Sequence, residues 1–155
     1  MENLMEKYFP EWEVDHLSKR GCTLYIGEND EFGLAVYYDE TYGDTLHIEN
    51  ITVFSERGQG IGTTIMKEII QWAKENSYDA VALVAQPLED SNYNWPMSQW
   101  AGLLEWYKKL GFEIDKEAEG YDPEFSEEVK TAAENGLKIR DFESESRSPY
   151  LVYYI

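Results

Sequence analysis

An apolar strand that runs directly into a glycine-rich turn, and from there into an amphipathic helix, constrains this chain more than any other feature. The strand is Leu46-His47-Ile48-Glu49-Asn50-Ile51-Thr52-Val53-Phe54. The turn and helix start are Ser55-Glu56-Arg57-Gly58-Gln59-Gly60-Ile61-Gly62-Thr63. Glycine lets backbone approach a ligand closely, and a helix N-terminus offers N–H groups that have no intrahelical partner. Strand, turn and helix together make a cradle for an anion, with Arg57 adding positive charge. The run lacks the Gly-Lys-Ser/Thr ending of a nucleotide P-loop. It also lacks a complete Gly-x-Gly-x-x-Gly, because position 65 is Ile. The pattern points instead to another kind of phosphate-bearing cofactor.

The rest of the chain supplies elements around that cradle. Residues 2–20 read as a helix interrupted by Pro10, with Leu4, Met5, Tyr8 and Phe9 on one face. Strands are expected at 23–27, 32–38 and 45–54. The short turns between them suit an antiparallel meander. Over residues 60–76, Ile61, Ile65, Met66, Ile69, Trp72 and Ala73 recur at the spacing of one buried helical face. Residues 79–85 are almost wholly apolar, as in a strand covered on both sides. A helix is expected from Ser98, as its cap, to Leu110, with Trp100, Leu103, Leu104 and Tyr107 on one face and Gly111 as its stop. A short strand at 112–114, a helix at 126–135 capped by Ser126, a strand at 137–142 and a last strand at 150–155 complete the order. That order predicts one mixed α/β domain over residues 1–155, with helices packed on a sheet.

Composition sets the bounds. With 155 residues, 43% hydrophobic and 15% aromatic, the chain is long enough to bury a core and is not a disordered segment. A net charge of −18 repels phosphates, which argues against nucleic acid or an anionic membrane as partner. It favours amines, polyamines or a basic protein surface. The plainer alternative is that acidity only keeps the chain soluble. A single cysteine, Cys22, allows no internal disulfide, in keeping with a reducing, cytoplasmic setting. The N-terminus has no apolar signal core, no stretch reads as a membrane span, and no metal site is expected.

A second motif, Tyr107-Lys108-Lys109-Leu110-Gly111-Phe112, follows the cradle in the chain. Together the two resemble the GNAT family of N-acetyltransferases. That family's signature is Arg/Gln-x-x-Gly-x-Gly/Ala after a strand ending in an apolar-x-Val step, and its later motif is close to Tyr-x-x-x-Gly-Phe. Here the first reads Ile51-Thr52-Val53, then Arg57-Gly58-Gln59-Gly60-Ile61-Gly62. The resemblance implies a GNAT-like mixed central sheet with an antiparallel N-terminal meander, splayed central strands and helices on both faces. It implies acetyl-coenzyme A as cofactor. Ile51, Thr52 and Val53 would meet the pantetheine arm through their backbone. Arg57, Gly58, Gln59, Gly60, Ile61, Gly62 and Thr63 would hold the diphosphate. The strands at 45–54 and 79–85 would splay to admit the thioester. The chain departs from the family at Trp100 and Leu103, which stand where many members carry a coenzyme-contacting Asn and a small Ala.

Acetyl transfer to an amine makes three chemical demands. An ammonium must lose a proton, a carbonyl oxygen needs a donor as charge develops, and the departing thiolate benefits from a proton. The resemblance makes Tyr107 the candidate acid, since family members often place this tyrosine beside the coenzyme sulfur. On its spacing alone Tyr107 reads as a core aromatic. His47 and Glu49 are the candidate bases, acting directly or through water. On a regular strand they share a face that Ile51 and Val53 continue. The plainer reading makes them solvated strand residues or a structural pair. The acidic, aromatic loop at 88–97 suits recognition of a cationic substrate or partner, with a packed connector or a homodimer contact as alternatives. The expected function is transfer of an acetyl group from acetyl-coenzyme A to a primary amine: a small cationic amine, or a lysine or N-terminus on a basic protein. The alternative is an acidic interaction or inhibitor protein on the same scaffold, bound to a basic protein surface.

Overall fold

Short polar turns between apolar runs fold into the expected meander. Strands β1 (Tyr25–Glu28), β2 (Phe32–Asp39) and β3 (Thr45–Val53) pair antiparallel in sequence order. The structure, a computed structural model, describes residues 25–28, 32–39, 44–53, 60–85, 96–118, 121–142 and 149–155. For residues 25–28, 32–39, 49–53 and 61 it describes the backbone alone. The expected helix at 2–20 and the loop at 88–95 lie outside the described residues. The described residues form two compact units. One comprises those of Met1–Leu83 with Tyr153–Ile155, the other those of Val84–Val152.

In the first unit, helix α1 (Ile61–Glu75) carries the chain from β3 to strand β4 (Ala80–Val84), which pairs with β3 in parallel. A parallel pair requires such a crossover. The helix buries Ile65, Met66, Ile69, Ile70 and Ala73. Ala80, Val81, Ala82 and Leu83 are all buried, as the unbroken apolar run predicts. The starts of β3 and β4 are tied together by two hydrogen bonds between Asp44 and Asp79. The Asp79 N–H donates to the Asp44 carbonyl at 2.7 Å, and the Asp44 N–H to Asp79 Oδ2 at 3.1 Å. The Ile155 N–H donates to the Asp79 carbonyl at 3.0 Å.

In the second unit, helix α2 (Met97–Leu110) and helix α3 (Phe125–Glu134) share a core of Met97, Trp100, Phe125, Val129, Ala132 and Ile139. Trp100, Phe125 and Phe142 meet edge to face, with ring centroids 5.3 to 6.3 Å apart. Such contacts add to the burial of the rings. Strands β5 (Glu113–Ile114) and β6 (Tyr150–Tyr154) pair antiparallel through Glu113 and Val152.

Three expectations are corrected here. Ser98 is not the cap of α2, because the helix starts at Met97 with Pro96 at the N-cap position. The Met97 N–H already donates to the Leu137 carbonyl at 2.9 Å, so a backbone group does what a hydroxyl cap would do. Ser126 does not cap α3, which starts at Phe125. Asp122 turns the chain there, its Oδ1 accepting from the Glu124 N–H at 2.9 Å, and Phe125 enters the core. Residues 137–142 do not form a strand. A single bridge joins Lys138 to Pro96, and a 3-10 turn (Ile139–Asp141) then places Ile139 in the core.

The three α-helices among the described residues end alike. The Tyr78, Phe112 and Leu137 N–H groups donate to the carbonyls of Ala73, Tyr107 and Ala132, each five residues back. The preceding residue stands at positive φ in each case: Ser77 at 60°, Gly111 at 103° and Gly136 at 70°. This paired-bond ending satisfies carbonyls that a helix would otherwise leave open. Among the described residues, no helix is long and apolar enough to cross a membrane. Gly102 lies exposed within α2, where an added Cβ would meet nothing within 4 Å. Gly102→Ala should therefore raise unfolding stability by about 0.5–1 kcal/mol, through helix propensity and a less free unfolded chain. Chemical denaturation checks this; an unchanged or lower midpoint would contradict it.

Candidate active site

The candidate site begins with a change of register in β3. Opposite β2, Leu34 pairs with Ile51 and Ala35 with Asn50, but Val36 pairs with Ile48. One extra residue, Glu49, is inserted into β3 as a bulge. The expectation that His47 and Glu49 share a face continued by Ile51 and Val53 is thereby corrected. Past the bulge the alternation shifts by one residue, so Asn50 stands in phase with His47, and Ile51 with Ile48. Upstream of the bulge His47 is only 7% exposed, so it is not a solvated strand residue. Glu49 occupies the bulge itself.

The ladder between β3 and β4 is short. It runs from Thr45 and Ala80 to Ile48 and Leu83, whereas β3 continues to Val53. Beyond Ile48 the β3 backbone is paired on its β2 side through Val53 and Phe32. Backbone groups on the other edge require partners of their own. Ile51, Thr52 and Val53, the expected contacts of the pantetheine arm, lie in this stretch.

Arg57, Gly58 and Gln59 lie outside the described residues. The cradle is described from Gly60 onward. Gly60 is the N-cap of α1 at φ 75°, a left-handed conformation that disfavours a side chain. A Cβ there would meet nothing within 4 Å. Its carbonyl accepts from both the N–H and Oγ1 of Thr64, each at 3.0 Å, which fixes the first turn over Ile61, Gly62 and Thr63. No side chain caps this end, and no carboxylate stands in the first turn. Within this first turn the positive end of the helix dipole meets no carboxylate, an arrangement that suits an anionic ligand.

In the second unit, Tyr107 lies on α2 and is 5% exposed. Its carbonyl accepts the closing bond of the helix from Phe112, and its ring lies 5.6 Å from Phe112 and 4.7 Å from Trp106. The Tyr-x-x-x-Gly-Phe motif is therefore a helix ending that holds the tyrosine ring in place. Burial pushes the Tyr107 phenol well above its ordinary range, so it stays protonated at physiological pH. Trp100 is buried, and its indole N–H donates to the Ala85 carbonyl at 3.2 Å. It serves the core in the place where many family members have Asn.

The chain matches the acetyltransferase (GNAT) family over residues 2–112 and belongs to it. No curated protein matches it in sequence. Among solved structures it is similar to a GNAT acetyltransferase from Elizabethkingia anophelis with acetyl-CoA bound. The two are 19% identical over 100% of this chain and 84% of that one, with a TM-score of 0.48. It is similar to the ribosomal-protein-S18-alanine N-acetyltransferase from Escherichia coli, at 15% identity, 88% and 72% coverage and a TM-score of 0.49. It is also similar to Arabidopsis thaliana Naa50 in complex with a bisubstrate analogue, at 19% identity, 79% and 63% coverage and a TM-score of 0.43. The chain thus spans less than two thirds of the Arabidopsis chain's length.

Gly60 is where sequence and backbone agree most closely. Gly60→Ala should cost about 1 kcal/mol of stability, because alanine is strained at this positive φ. Thermal unfolding without ligand checks this. An unchanged melting temperature would mean that the turn relaxes freely.

Proposed function

We propose that this chain is an acetyl-coenzyme A-dependent N-acetyltransferase whose acceptor is a primary amine, either a small cationic amine or a lysine or N-terminus on a basic protein. Family membership supports the reading. The observation that carries it is β3 itself: a strand that outruns its parallel partner after Ile48, beyond which the chain reaches an uncapped helix start at Gly60. When bound, the coenzyme supplies an acetyl thioester. Arg57, Gly58, Gln59, Gly60, Ile61, Gly62 and Thr63 hold the diphosphate through backbone N–H groups and the guanidinium. Ile51, Thr52 and Val53 offer backbone donors and acceptors to the amides of the arm, much as an added strand would use them.

The reaction needs one proton removed and one delivered. Glu49 or His47, or a water held by them, takes a proton from the acceptor ammonium and leaves a lone pair on nitrogen. That nitrogen bonds the acetyl carbon as the carbon–sulfur bond breaks. The bulge at Glu49 takes a backbone group out of the ladder and so offers a donor to the carbonyl oxygen. The protonated Tyr107 phenol delivers a proton to the departing sulfur. A net charge of −18 draws a cationic acceptor toward the protein. The same charge favours the second reading, an acidic protein that occupies a basic partner surface.

Acetyl-coenzyme A at a hundredfold excess over its Kd should stabilise the fold by about 2.7 kcal/mol, seen as a rise in melting temperature. No shift at millimolar coenzyme would sink the reading. Gly60→Glu should abolish the shift. Tyr107→Phe should retain the shift while slowing turnover on the order of 100-fold, measured by free-thiol release over a panel of amines and basic proteins. Normal turnover in Tyr107→Phe would remove that residue from the chemistry. If the second reading holds instead, a basic protein binds without coenzyme and the complex weakens steeply with salt.

A further inference from the structure

Thr45 is fully buried at 0% exposure, yet its Oγ1 has no hydrogen-bond partner among the described residues. Native chains rarely keep such a group without a reason. Thr45 stands two residues before His47, on the regular part of β3 that precedes the bulge, so both lie on one face. Along a strand that separation is about 6.7 Å, a span that a single bridging oxygen closes between two side chains. On β4 the register opposes them with Ala80 and Ala82, both buried and without side-chain polar atoms. On β2 the opposing positions are Asp39 for Thr45 and Tyr37 for His47. With Glu49 in the bulge, these are the titratable residues at neighbouring register positions.

We propose that Thr45 is a positioning residue for proton transfer at His47. Its hydroxyl binds a buried water that bridges to the imidazole and accepts a hydrogen bond from the imidazolium. A hydroxyl donates and accepts at once, and buried waters collect on otherwise unsatisfied polar groups. The bridge orients the ring and favours its charged form after it takes the acceptor's proton. This deepens the acetyltransferase reading and rests on His47 as its base.

The test is an NMR titration of the His47 ring in the full chain. There are only two histidines, and His47→Gln identifies the signal. Thr45→Val keeps the shape and removes the hydroxyl. The imidazolium then loses this bridging acceptor, and the ring midpoint falls by about 0.5 pH unit or more. Thr45→Ser keeps the midpoint, and the acid limb of kcat/KM follows the ring in each variant. Thr45→Ala repeats the measurement should valine overpack. An unmoved midpoint in Thr45→Val, with a melting temperature raised by a few degrees as a dry hydroxyl is removed, overturns the proposal. An acid limb unchanged in His47→Gln overturns the base assignment separately. In that case a shifted ring midpoint in Thr45→Val still establishes the bridge.

Discussion

The inserted residue at Glu49 is the constraint on which the candidate site depends. Upstream of it, β3 lies between two partners and follows a regular alternation. Downstream, the alternation has shifted by one position and the ladder to β4 has ended. A bulge adds twist and bends its strand, so it is a physical means of parting two strands whose first residues are bonded in register. Beyond Ile48, among the described residues, the ladder to β4 does not continue on that edge of β3.

Much of this was legible in the residues. The meander, the long helix after the glycine turn and the covered strand at Ala80–Val84 all follow from spacing and turn composition. The bulge was also written there, though easily misread. Leu46 and Ile48 are two apart, Ile51 and Val53 are two apart, but Ile48 and Ile51 are three apart. A regular strand does not tolerate that step on one face, and an extra residue restores the phase. Reading His47, Glu49 and Ile51 as one face ignored this apolar signal in favour of a polar pair.

What was not legible has a common cause. The helix starts at Met97 and Phe125 depend on bonds formed across the sequence or on burial, not on a capping hydroxyl. Ser98 and Ser126 have the right chemistry, but tertiary contacts had already settled the boundary. Residues 137–142 look like a strand by composition, yet Ile139 is drawn into a helical core and the ladder reduces to one bridge. Trp100 is the converse case. Its helical spacing with Leu103, Leu104 and Tyr107 placed it on the apolar face, and its burial and its bond to the Ala85 carbonyl bear that out. The orphan hydroxyl of Thr45 has no sequence signal at all, because threonine is an ordinary strand residue.

The bond from the Ile155 N–H to the Asp79 carbonyl bears on the order in which the chain assembles. The first unit is discontinuous: Tyr153–Ile155 belong to it, and the whole of the second unit intervenes. Asp44, Asp79 and Ile155, far apart along the chain, meet through neighbouring hydrogen bonds. Closing so long a loop is slow in entropic terms, although its cost grows only gently with length. On the ribosome the meander and α1 emerge before β6, so the Asp79 carbonyl lacks this partner until then. The first unit is therefore complete only after β6 has been made.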